Sequence, residues 1–108
     1  MKTLEFNDIN RESYDMLYEV VRAKPVKGIE EILKAATIME KLKEIGVEKG
    51  SGDAGVFKAY KLKTTPTTLE LEDDHFRYIK NAFEEVPMAS SVKIELLAQT
   101  AKLLKSVE

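Results

Sequence analysis

Hydrophobic and polar residues alternate along the chain, with the period of a strand in some segments and of a helix in others. Residues 2–6 alternate with Leu4 and Phe6 on one face, which predicts a half-buried strand. Asp8 or Asn10 can then cap an amphipathic helix. The apolar side chains of this helix recur at i, i+3, i+4 and i+7, and they are Tyr14, Leu17, Tyr18 and Val21.

A second helix is predicted from about Ile29 to Ile45, after Pro25 and Gly28 and before Gly46, a residue type common at helix ends. Its apolar residues cover a wider arc than one core-facing stripe needs. They form two sets, which are Ile29, Ile32, Ala36 and Met39, and Ala35, Ile38, Leu42 and Ile45.

The second half of the chain repeats this succession. Residues 56–63 and 67–72 alternate like two strands joined by a short turn. Asp73 can cap a third helix, Pro87 interrupts it, and a fourth helix is predicted over about 90–107. The order β-α-α-β-β-α-α predicts an α+β fold, in which a small antiparallel sheet is covered by two helical hairpins.

The two ends of the chain match at an offset of 65 residues, as Leu4 and Leu69 illustrate. Strand, cap, helix, proline and second helix follow in the same order in both, which predicts half-repeats over about 2–46 and 67–108 in a pseudo-two-fold relation. Chance similarity between two units rich in Lys, Glu and Leu is the alternative. We expect one domain over residues 1–108, with a flexible glycine-rich linker over about 47–55.

Within this linker, GSGDAG at residues 50–55 matches the G-x-G-x-x-G pattern of dinucleotide-binding loops. A phosphate-binding loop follows a strand and opens a helix, whose N-terminal amides hold the anion. Here the segment follows a predicted helix and leads into a strand, and Asp53 and Glu48 would repel a phosphate. We therefore interpret it as a linker and expect no nucleotide cofactor.

Net charge and the numbers of cysteine and histidine residues exclude several classes of function. The chain has 108 residues with a net charge of −2, which gives no global attraction to nucleic acid or anionic membranes. With no cysteine and one histidine, disulfides, thiolate catalysis and the commonest zinc sites are excluded. The N-terminus lacks the apolar core of a signal peptide and no run is long enough to span a bilayer, so a cytoplasmic protein is expected. Many Lys and Glu residues with a single Gln resemble thermophile composition.

Catalytic signals are sparse. His75 beside Asp73 and Asp74 suggests a metal site or a general base, but adjacent residues in the first turn of a helix point in different directions. These acids are expected to complement the helix dipole, with no metal bound. An enzyme whose active site consists of carboxylates alone is therefore the least favoured function, after a protein-interaction module and a nucleic-acid-binding protein.

The segment 57–63 interleaves lysines with aromatic residues, as surfaces that bind single-stranded nucleic acid do. Binding of nucleic acid is the second function that we consider, and its candidate contacts are Lys58, Tyr60, Lys61 and Lys63. Lysines also protect exposed edge strands from aggregation, and this is the interpretation of the segment that we favour.

The leading function is a non-enzymatic protein-interaction or assembly module that self-associates, such as a small accessory protein of a phage or other mobile element. Helices that are apolar on more than one side are buried on more than one side, and the second neighbour can be another subunit. A helix enclosed on both sides within a single chain is the alternative. The candidate interface residues are Ile38 and Leu42 on the second helix and Leu96 and Leu103 on the fourth.

Overall fold

The fold is α+β, as predicted, in a computed structural model that describes residues 1–50, 59–88 and 90–108. These residues form four helices and two small antiparallel sheets in the predicted order, with one additional short strand. The elements are β1 (Lys2–Phe6), α1 (Arg11–Ala23), α2 (Ile29–Glu44), β2 (Gly46–Glu48), β3 (Tyr60–Leu62), β4 (Thr67–Leu71), α3 (Asp73–Glu85) and α4 (Ile94–Lys105).

The two-stranded sheet of β1 and β4 brings the ends of the chain together. The strands are antiparallel, with Leu4 opposite Leu69 and Phe6 opposite Thr67. Because side chains alternate between the faces of a strand, one face is solvent-exposed while the other is buried against the helices. The buried side chains are Leu4, Phe6, Leu69 and Leu71.

The second sheet pairs β2 with β3, with Gly46 opposite Leu62. The sequence predicts one sheet and a linker from residue 47, but Val47 and Glu48 belong to β2. Gly46 therefore follows α2 by starting a strand, and its backbone passes directly against the ring of Tyr14. Residues 51–55 of the predicted linker lie outside the described residues.

Helix α1 is the centre of the core. It packs against all three other helices and against β3, so it is buried on almost every side. The Tyr14 hydroxyl donates a hydrogen bond to the carbonyl oxygen of Leu42 in α2 at 2.6 Å, and the Thr100 hydroxyl in α4 donates one to Ser13 Oγ at 2.9 Å. These bonds satisfy buried polar groups and join α1 to α2 and α4, which we call the outer helices.

The register of β1 and β4 supports the predicted pseudo-symmetry. Leu4 and Leu69, which match in sequence, lie directly opposite each other, as they would beside a two-fold axis through the strand pair. The two strands also have the same order of buried and exposed positions. In the outer helices the buried residues correspond as well, at an offset of 62: Ile38 with Thr100 and Leu42 with Leu104.

Equivalent positions should respond equally to mutation. We expect Leu4→Ala and Leu69→Ala each to reduce the free energy of unfolding by about 2–5 kcal/mol, because both leave a cavity under the same sheet face. Chemical denaturation measures both values. Losses in the free energy of unfolding that differ by more than about 2 kcal/mol between the two variants would contradict an equivalent packing role for the two leucines.

Candidate functional site

The outward face of α2 carries exposed apolar side chains. Ile38 and Leu42 face the core, and the opposite side of the helix presents Ile29, Ile32 and Leu33, which are 77%, 48% and 61% exposed. With exposed Ala36, these residues follow the i, i+3, i+4, i+7 spacing of one helix face. We call Ile29, Ile32, Leu33 and Ala36 the α2 stripe.

Local sequence explains why α2 begins where it does. Gly28 precedes the helix with φ +87°, a conformation that glycine adopts at little cost. The amide of Ile32 donates the first helical hydrogen bond, to the carbonyl of Gly28 at 3.1 Å. Glu30 and Glu31 in the first turn complement the helix dipole, as do lysines in the last turn. The apolar stripe is therefore held on a well-formed helix.

Opposite charges lie at the two ends of the α2 stripe. Lys27 precedes the helix and Glu40 follows the stripe by one turn, and both are exposed. Neither forms an ion pair within residues 1–50, 59–88 and 90–108. Each end of α2 also carries the opposite charge, from Glu30 and Glu31 in the first turn and from Lys41 and Lys43 in the last turn.

The predicted interface residues occupy other positions. Ile38 and Leu42 are completely buried in the core of the chain, and Leu96 and Leu103 are half-buried. On α4 the exposed apolar residues are Ile94, Ala98 and Ala101, and two of these three side chains are single methyl groups. The sequence correctly indicates that α2 is apolar on two sides, but the outward set is the one that contains Ile29 and Ile32.

Of the residues predicted to contact nucleic acid, those that the structure describes have partners within the protein. Tyr60 is half-buried and stacks on Tyr18, with ring centroids 4.6 Å apart. Lys63 Nζ donates a hydrogen bond to the carbonyl of Glu44 at 3.1 Å. Lys61 is half-buried in β3, and Lys58 lies outside the described residues. The described part of this strand contributes to packing.

The start of α3 brings together three metal-ligating side chains. One donor atom each from Glu72, Asp74 and His75 lies within 4.8 Å of the others. The prediction that Asp73, Asp74 and His75 point in different directions holds for Asp73, which forms an ion pair with the amino group of Met1 at 3.3 Å. It is wrong for Asp74 and His75, which converge with Glu72. Both carboxylates of the cluster are exposed, and exposed acidic groups with this spacing are common without a metal.

Asp15 is a buried carboxyl group of α1 with a perturbed pKa. Burial raises its pKa above the usual value even though Lys49 Nζ lies 2.9 Å from its Oδ2. An acid-base site of paired carboxylates would place a second carboxylate at this distance. The partner here is an ammonium group, and the pair connects α1 to the end of β2.

Comparison of the chain with known protein families, curated proteins and solved structures finds no match. Among the described helices, none has the length and apolar character needed to cross a membrane.

Proposed function

We propose that the protein is a non-enzymatic protein-interaction module that self-associates through the α2 stripe. The observation that carries the proposal is the position of this stripe, on the side of α2 opposite its core-facing residues. Apolar side chains grouped in this way mark interaction surfaces, because a contiguous exposed patch is costly for a protein that stays monomeric.

The order of residues along the α2 stripe favours a second copy of the chain as the partner, because the stripe matches itself when one copy is reversed. When two α2 helices pack antiparallel, with Ile32 and Leu33 near a two-fold axis, Ile29 of one copy faces Ala36 of the other. The same arrangement brings the Glu40 end of one stripe toward the Lys27 end of its partner. Each side supplies the same patch, as symmetric dimers require.

Single-cysteine cross-linking tests this arrangement, since the natural chain has no cysteine. In the dimer that we propose, position 33 of one chain lies close to position 33 of the other. A short bismaleimide reagent should therefore join two chains of the Leu33→Cys variant. The matched control is Lys102→Cys, an exposed position on α4, which should stay unlinked at the same protein concentration. Equal linking of both variants, or of neither, would contradict antiparallel packing of α2.

A further inference from the structure

The ion pair of Asp15 and Lys49 is enclosed by the fold. Lys49 Nζ lies 2.9 Å from Asp15 Oδ2, and the side chains of Lys49 and Asp15 are 9% and 12% exposed. In the ion pair of Lys80 and Glu108, by contrast, the side chains are 38% and 39% exposed. The amino group of Lys49 and the carboxyl group of Asp15 are therefore in contact where water has little access.

Both members of this pair are held by regular backbone structure. Asp15 lies in α1, at the centre of the core. Lys49 directly follows β2, and its backbone amide donates a hydrogen bond to the carbonyl oxygen of Ala59 at 3.1 Å, which continues the pairing of β2 with β3 by one residue. The two reactive groups therefore approach each other from fixed elements, and this lowers the entropic cost of a reaction between them.

The surroundings of the pair disfavour the charged carboxylate. Removal of two charges from water is costly, and their mutual attraction can offset only part of this cost. Burial raises the pKa of the Asp15 carboxyl group above its usual value even though the Lys49 ammonium lies against it. The carboxylate of Glu12 raises this pKa further, and the guanidinium of Arg11 lowers it. The neutral carboxyl group, which is the form that an amine attacks, is thus favoured.

We propose that Lys49 and Asp15 condense to an amide, an isopeptide bond that joins α1 to the residue after β2. A proton first passes from Lys49 Nζ to Asp15 Oδ2 along their 2.9 Å contact. The neutral amine then attacks the carboxyl carbon Cγ, so that the Nζ–Cγ bond forms and one Cγ–O bond breaks. In total the nitrogen gives up two protons, which leave with one carboxyl oxygen as water. No atom is oxidised or reduced, and no co-reactant is needed.

The enclosed site favours the amide over the ion pair. In water, hydration stabilises the separate ammonium and carboxylate ions. Around Asp15 and Lys49 this hydration is largely lost, whereas the amide carries no net charge and its formation removes both buried charges. The water that is released leaves for the solvent.

The bond would close a covalent loop over residues 15–49. This loop contains all of α2, the helix that carries the α2 stripe. The chain has no cysteine and therefore no disulfide that could serve as a cross-link. A covalent link between α1 and the end of β2 stabilises the fold by restricting the unfolded chain, as closure of a loop by a disulfide does.

Intact mass spectrometry of the full chain under denaturing conditions tests the proposal. The wild type is expected to have the mass of its sequence minus one molecule of water. Trypsin does not cleave after an acylated lysine, so a digest should contain a branched peptide in which residues 15 and 49 are joined. Denaturation separates copies that associate without a covalent bond, so this result does not depend on self-association through the α2 stripe.

Lys49→Arg keeps a cation opposite Asp15 but removes the amine, because the guanidinium stays protonated. This variant should have the full mass of its sequence, with circular dichroism reporting the fold. Lys80→Arg is the matched control, since it changes the exposed pair with Glu108, and it should lose one water as the wild type does. A wild type that keeps its full mass after prolonged incubation in the folded state would overturn the proposal. A loss of water that persists in Lys49→Arg, or that the digest locates in a cyclic imide instead of the branched peptide, would overturn it too.

Discussion

Replacing Ile32 and Leu33 together by lysine is expected to separate the dimer that we propose into folded monomers. Both side chains are exposed in the single chain, so the fold loses little. At a symmetric interface each substitution acts twice, removing apolar contacts and placing lysines from both copies together. We expect the dissociation constant to rise at least about a hundredfold, as measured by sedimentation velocity, with circular dichroism reporting the fold.

The matched control is the double substitution of Ala98 and Ala101 by lysine on the exposed side of α4. It adds the same charge to the other outer helix and should leave self-association unchanged. If the α4 variant becomes the monomer while the α2 variant keeps the wild-type mass, the interface lies on α4 and our assignment is wrong.

Gly46→Ala is expected to destabilise the fold by about 3 kcal/mol, a large effect for one added methyl group. A Cβ at this position would overlap the Tyr14 hydroxyl and lie 2.8 Å from its ring carbon Cζ and 3.2 Å from the Leu42 carbonyl oxygen. The ring must move, and the buried hydrogen bond from Tyr14 to Leu42 is then lost. Urea denaturation measures the change in the free energy of unfolding.

A double-mutant cycle with Tyr14→Phe provides the control. Without the hydroxyl, the closest overlap disappears, so Gly46→Ala should cost less in the Tyr14→Phe background than in the wild type. Equal costs in the two backgrounds would show that Tyr14 is not the group that excludes a side chain at Gly46.

The sequence predicts the element order because hydrophobic periodicity is strong in most segments. The second helix is predicted from Ile29 to Ile45 and observed over Ile29–Glu44. The sequence does not predict the short strand β2, because three residues are too few to show an alternating pattern and because Gly46 is a residue type that commonly ends helices. The need for glycine at position 46 depends on its close approach to Tyr14, a contact between residues that are distant in sequence.

Burial of α1 also exceeds what its pattern indicates. Periodicity identifies one apolar face, but the structure buries Ser13 and Asp15 as well. Their partners, Thr100 and Lys49, lie on elements that come together only in the folded chain. Polar residues of this kind resemble surface residues in the sequence.

The candidate surface is predictable in part. The sequence shows that α2 has two apolar sets, but both have helical spacing, and only packing determines which faces outward. The set with Ile38 lies inward and the set with Ile29 outward, where Leu33 joins it.

Sedimentation equilibrium of the wild-type protein across micromolar concentrations tests self-association most directly. A single chain has a mass of 12.2 kDa. We predict a mass that approaches twice this value as concentration rises, with one reversible monomer–dimer equilibrium describing the data. A mass of one chain over the whole range would contradict self-association, and the α2 stripe would then not be a site of contact between copies.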